Sequence, residues 1–287
     1  MSFKKALSII FISLLCTTSM ALGALWYWQN VQKQREGDPQ YKIVALAQST
    51  TSGEPLKSTY LAELLGLSTD QPQNLYQFDS REALAKLNGS ALIKKGSITK
   101  IKPGTLLIDY EVRQPIAFSG DFSNTAIDEE GFLIPFKPFF TPKKLPLLIL
   151  GEQDDENGKW GKPLSSRKAK LALEVLTTIQ QAIAGQPLQL LQLDLSRAYA
   201  LSFGQREIIA LIETKRNVGS TLWVTPIYLR LSLSNYRQEL SNFLKLSYEL
   251  SKLTPQEEKK GIINTKPLMI ELRVPQLAFV VSESQSK

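Results

Sequence analysis

The sequence predicts an α+β protein: an N-terminal transmembrane helix, a β-α-α-β-β unit, and then a mixed β-domain with two long helices. Three observations lead there. Residues 6–28 contain no charged side chain. Leu106, Ile108, Tyr110 and Val112 alternate with Leu107, Asp109 and Glu111, the period-2 pattern of a half-buried strand. Leu171, Val175, Leu176, Ile179 and Ile183 recur at helical spacing, and a second long helix is expected at 235–252.

Composition narrows the chemistry. The chain has 287 residues, of which 43% are apolar and 21% charged, so it can build a core. Its 34 Lys and Arg against 27 Asp and Glu leave a net charge of +7, spread along the chain and not gathered into a tract of the kind that holds nucleic acid. There is no histidine and only one cysteine, Cys16. Ser-His-Asp and Cys-His hydrolases, His-ligated metal or haem sites, intrachain disulfides and thiolate clusters are therefore excluded. A Ser-Lys hydrolase or a carboxylate glycosidase survives that filter.

Residues 6–28 would span about 35 Å as a helix, enough for a hydrocarbon core of about 30 Å. Lys4 and Lys5 precede the run, and Trp26, Tyr27 and Trp28 close it as interfacial aromatics do. The expected topology has a cytoplasmic tail at 1–5, a transmembrane helix at 6–28 and a polar linker at 29–40. A cleaved signal peptide is the rival, because Ala21-Leu22-Gly23 offers small residues. However, the run exceeds the usual signal core of about 7–15 residues, and cleavage would leave Leu25-Trp26-Tyr27-Trp28 at a soluble terminus. Leu14 and Leu15 before Cys16 do not fit a lipidation signal, so Cys16 is expected to be a passive, lipid-facing side chain.

In the unit at 41–115, a strand is expected at 41–48, a helix at 58–67 and a helix capped by Asp79 with Glu82 three residues on, stopping at Asn88-Gly89. Strands at 92–101 and 105–113 flank a Lys102-Pro103-Gly104 turn. In the β-domain at 116–281, short strands are expected near Ala117, Thr125 and Phe132, followed by a helix at 165–183. Further strands are expected at 188–195, 198–203, 207–213 and 221–231, and final strands at 266–274 and 277–281. Residues 282–287 are expected to be a flexible tail. Ser165-Ser166-Arg167-Lys168 reads as a helix start capped by serine and not as a Ser-Lys pair. Asp154-Asp155-Glu156 and Glu257-Glu258-Lys259-Lys260 read as solvated loops. No phosphate loop or dinucleotide fingerprint is present, so no catalytic residue, cofactor or metal ligand is assigned.

The stretch Pro103-Gly104-Thr105-Leu106-Leu107-Ile108-Asp109-Tyr110-Glu111-Val112-Arg113-Gln114-Pro115-Ile116-Ala117 resembles the block that closes the POTRA domain of the FtsQ/DivIB cell-division family. Asp128-Glu129-Glu130-Gly131 is similar to that family's Asp-x-x-Gly turn, and Ile270-Glu271-Leu272-Arg273-Val274 to its Val-Asp-Leu-Arg-Tyr strand. The chain departs from the pattern at Glu271, at Val274, in lacking a glycine near Leu277, and in apparent insertions at 135–146 and 215–227. The resemblance implies a single-pass inner-membrane protein with its N-terminus in the cytoplasm and its bulk in the periplasm. It would be a non-enzymatic divisome scaffold and regulator of septal peptidoglycan synthesis. Its partners would be of the FtsB/FtsL type, with FtsW/FtsI as further candidates, and it would take neither nucleic acid nor a small-molecule substrate.

Partner binding is expected at the last strands, where a free edge accepts a partner strand. The residues expected there are Leu272, Arg273, Val274, Gln276, Leu277 and Phe279. Alignment with the family adds Arg197 nearby. Two alternatives stand beside this reading: a POTRA-containing secretion or outer-membrane assembly factor, and a periplasmic hydrolase using carboxylates or Ser-Lys.

Overall fold

The computed structural model describes residues 3–51, 54–68, 70–152, 159–218, 220–252, 261–275 and 277–282. The chain divides into two units, Met1–Val112 and Arg113–Lys287.

The first unit opens with helix α1 (Phe3–Gly37), whose stretch Phe11–Gly37 is long and apolar enough to cross a membrane. Residues 29–37, expected to be linker, continue the helix. The reason is local: from Gln29 to Glu36 there is neither Gly nor Pro, and Gln, Lys, Arg and Glu are good helix formers. Gly37 and Pro39 end it. The freed carbonyls find a partner in Asn74, whose Nδ2 donates to Arg35 O at 2.9 Å and to Asp38 O at 3.2 Å. Asp38 then caps a short 3-10 turn at Pro39–Tyr41.

Strand β1 (Ala45–Thr50) starts later than expected. Helices α2 (Ser58–Leu64) and α3 (Ser80–Asn88) follow, then strands β2 (Ile93–Ile101) and β3 (Thr105–Val112). The sheet order is β1-β3-β2, with β1 parallel and β2 antiparallel to β3. Asp79 caps α3 by accepting from the Arg81 and Glu82 amides, while Glu82 pairs with Lys86 at 2.7 Å. Leu106, Ile108, Tyr110 and Val112 are buried together with Leu61 and Leu87, so β3 presents one face to the core.

The turn between β2 and β3 is pressed against the chain entering β1. Val44 N donates to Gly104 O at 2.9 Å, and a Cβ on Gly104 would stand 2.1 Å from Lys42 O.

The second unit begins with strands β4 (Pro115–Ser119), β5 (Thr125–Asp128), β6 (Leu133–Pro135) and β7 (Leu147–Ile149). Helix α4 (Arg167–Ile183), strands β8 (Leu188–Asp194), β9 (Ile208–Val218) and β10 (Thr221–Leu231), and helix α5 (Tyr236–Lys252) come next. Strands β11 (Gly261–Asn264), β12 (Leu268–Glu271) and β13 (Phe279–Ser282) complete it. Nine strands run in the order β13-β12-β10-β9-β8-β7-β4-β5-β6, and β11 pairs with β10 beside β12. Ala172, Val175, Leu176 and Ile179 of α4 and Leu240 and Phe243 of α5 meet Leu193, Ala210, Ile212, Leu229 and Ile270 in one core.

The stretch from Arg113 to Phe132 is tied together by one buried ion pair. Arg113 lies 2.7 Å from the buried Asp128 carboxylate and stacks 3.6 Å from the Phe132 ring. Asp128 Oδ1 also accepts from the Glu130 and Phe132 amides, and Gly131 turns the chain at φ +82. Residues 215–218 and 221–227, within the stretch expected as an insertion, form the distal paired part of strands β9 and β10.

Two expectations are corrected here. Residues 198–203 form no strand. The chain turns at 196–199 and takes a 3-10 turn at Phe203–Gln205, because Arg206 Nε donates back to Ala200 O at 2.8 Å and closes the loop. The strand expected at 266–274 stops at Glu271, since Arg273 folds back onto Glu271 and Pro275 has no N–H for a ladder.

Replacing Gly104 by Ala puts a methyl group into the Lys42 carbonyl. It is expected to destabilise the first unit by about 2 kcal/mol, read as a lowered urea midpoint against the parent.

Candidate partner-binding edge

Strand β13 pairs with β12 on one side only, in the antiparallel register Glu271↔Phe279 to Leu268↔Ser282. Its other side is unpaired among the described residues. Phe279, Val280 and Val281 are all about half exposed, and successive strand residues point to opposite faces, so the strand is apolar and open on both.

The expected site residues distribute unevenly around it. Leu272 is 5% exposed and packs in the core, its N–H extending the pairing to Arg230 O at 3.1 Å. Val274 and Leu277 are exposed and sit at either end of a turn closed by Leu277 N to Val274 O at 3.2 Å. Phe279 opens β13. Gln276 lies outside the described residues, as do Asp154, Asp155, Glu156 and the stretch Glu257 to Lys260. Leu272, Arg273 and Leu277 share a cleft of about 630 Å³ with Gln238, Glu239 and Asn242 of α5.

The two arginines singled out by sequence are brought to one carboxylate. Arg197, on the turn after β8 and largely exposed, has NH1 3.7 Å from Glu207 Oε1. Arg273 reaches Glu207 Oε2 at 3.6 Å and grips Glu271 with two bonds, Nε to Oε1 at 2.7 Å and NH2 to Oε2 at 2.8 Å. Its NH1 also donates to Gly204 O and Arg206 O. Arg230 of β10 joins both acids, with Nε 2.7 Å from Glu207 Oε2 and NH1 3.0 Å from Glu271 Oε2.

Glu207, only 3% exposed, is the hub, and sequence reasoning read it merely as the first residue of a strand. Its signal was a single acid set directly before the apolar run Ile208-Ile209-Ala210-Leu211-Ile212. Sequence reasoning also missed Leu201 and Phe203, 99% and 80% exposed, on the loop whose carbonyls Arg273 holds.

Partial burial pushes the Glu271 carboxyl up. The Arg273 hydrogen bonds and the Arg273 and Arg230 charges outweigh that and hold it below the ordinary glutamate range. The Glu271 hydrogen bonds push Arg273 up, so the pair stays ionised.

The sequence motif suggestive of Ser-Lys chemistry is otherwise engaged. Ser166 Oγ caps α4 by accepting from Ala169 N at 3.0 Å, and Lys168 Nζ donates to Leu150 O and Ser196 O. No protein-family profile matches the chain, and no curated protein matches it.

Two outcomes follow from the acid–arginine cluster. Glu207→Ala leaves Arg230 and Arg273 short of a shielded counter-charge and is expected to cost about 3 kcal/mol in chemical denaturation. Glu271 has a lowered native pKa, so its contribution is complete above the unfolded value of about 4.3 and disappears as pH falls through the native one. The stability gap between parent and Glu271→Gln, measured by urea titration at a series of acidic pH values, is expected to close as pH drops below about 4.

Proposed function

We propose that this chain is a non-enzymatic scaffold and regulator of cell division of the FtsQ/DivIB type. In this reading α1 anchors it in the inner membrane with the N-terminus cytoplasmic, and both units stand in the periplasm. The first unit is read as the POTRA domain, and the second binds FtsB/FtsL-type partners. The sheet order β1-β3-β2, with β1 parallel to β3 and two helices between β1 and β2, supports the POTRA reading.

The observation that carries the binding role is β13: an apolar terminal strand with one side unpaired among the described residues. Such an edge invites aggregation unless something covers it, and a partner strand would cover it through main-chain hydrogen bonds. The side chains beside it then choose the partner. Leu277 and Phe279 offer apolar area, Leu201 and Phe203 are further exposed apolar side chains on the loop that Arg273 holds, and Arg197 presents a charge beside Glu207. Arg273 acts mostly from beneath, holding the loop that carries Leu201 and Phe203.

The test is binding of the detergent-solubilised full-length chain to an FtsB/FtsL-type pair from the same genome. Alternate residues of β13 turn their N–H outward, so one of Val280→Pro and Val281→Pro strikes the open row. That variant should bind about tenfold more weakly or worse while circular dichroism stays unchanged. If both folded variants bind like the parent and surface changes in the first unit abolish binding, the interface lies there instead.

A further inference from the structure

A second surface lies at the root of the first unit, where α1 ends. Tyr76 takes the Arg35 guanidinium from α1 at 5.6 Å and the Lys102 ammonium from the β2–β3 turn at 5.8 Å, both measured to its ring. The turn is therefore held close beside the end of the helix. Lys42 is exposed next to it, and Val44, 83% exposed, is bonded to the same turn through Gly104 O. Ile101 at the start of the turn is 43% exposed. Lys42 and Lys102 have no carboxylate within ion-pair distance among the described residues. Asp38, close to Lys42 in sequence, is turned to the Gln40 amide. The Tyr76 hydroxyl is shut off from water with no hydrogen-bond partner among the described residues.

This is the make-up of an interfacial contact, with apolar tips ringed by cations. Its distance from the bilayer follows from the continuity of α1. Gly37 lies about 13–14 Å beyond Trp28 along the helix. The headgroup layer occupies roughly 5–7 Å of that distance. The remaining gap is within about one Debye length of 8 Å. We infer that Lys42, Val44, Ile101 and Lys102, grouped around Tyr76, form a membrane-contact surface for anionic phospholipid headgroups of the leaflet from which α1 emerges. The inference rests on α1 spanning that membrane. Spanning helices are commonly tilted by about 20°, which brings one side of the unit closer to the bilayer, so Lys42 and Lys102 would reach headgroup phosphates and Val44 and Ile101 would enter the outer headgroup layer. An acidic protein segment would satisfy the cations but would not explain apolar tips at membrane height.

The test uses the full-length chain in nanodiscs of phosphatidylcholine alone or with three-tenths phosphatidylglycerol. Amine-reactive labelling at each lysine is read by mass spectrometry. Lys95, exposed about 20 Å further along β2, is the internal reference. The expected result is labelling of Lys42 and Lys102 slowed about fivefold relative to Lys95 in the anionic discs, and restored by 0.5 M salt, ~3–5 Å in Debye length. Val44→Ser with Ile101→Ser should weaken that protection without changing the rates in neutral discs. Equal relative rates in the two discs overturn the inference, as does slowing of Lys95 to the same degree, which would report only the charge of the disc. Alkaline carbonate extraction of the chain from vesicles separates the underlying reading. Release from the membrane sinks the anchor and this surface together, whereas retention with equal labelling sinks this surface alone.

Discussion

A carboxylate withdrawn from water has to be answered by cations, and much of the second unit is arranged around that requirement at Glu207. Its three arginines come from distant parts of the chain: Arg197 from the turn after β8, Arg230 from β10 and Arg273 from the segment after β12. Glu271 closes the circuit by holding Arg230 and Arg273 together. The acid thus ties the loop at 200–206 to the end of β12. The apolar face that remains exposed is displayed by a charged framework that fixes its shape.

How much of this was legible depended on how locally each feature is encoded. Strand β10 and helix α4 could be read closely, because each carries its own period and α4 its own cap at Ser166. Strand β3 was equally plain from Leu106, Ile108, Tyr110 and Val112. Strand β7 was not, since three residues have no period of their own and owe their conformation to parallel neighbours on both sides. The stretch 198–203, expected as a strand, enters the loop at 200–206. Its shape instead comes from Arg206 bonding backwards and from Arg273, about seventy residues later, bonding across. Polarity suggested a loose linker after Trp28, whereas propensity and the distant Asn74 side chain make it helix.

The same division holds at the candidate edge. That a strand lies there could be read from the apolar run Leu277 to Val281. That Leu272 turns inward while Val274 and Leu277 stand out could not, because it depends on the turn between them and on the pairing of Leu272 N with β10. Arg273 was expected from its place beside the last strands, and Arg197 only from the family resemblance. Their shared carboxylate was invisible, as a single glutamate gives no sign in sequence of what will be folded around it.

The unbroken course of α1 into the first unit gives the connector a property that a flexible tether lacks, namely phase. Each helical residue between Trp28 and Gly37 turns whatever follows by about 100° and advances it by about 1.5 Å. Because Asn74 clasps the final carbonyls, that angle passes into the folded unit and is not lost in a swivel. With α1 spanning a bilayer as proposed, the number of residues in this segment sets which side of the unit faces any neighbouring helix. Losing one would swing the unit by more than a quarter turn, while losing four would bring it back to within about 40° of its first heading.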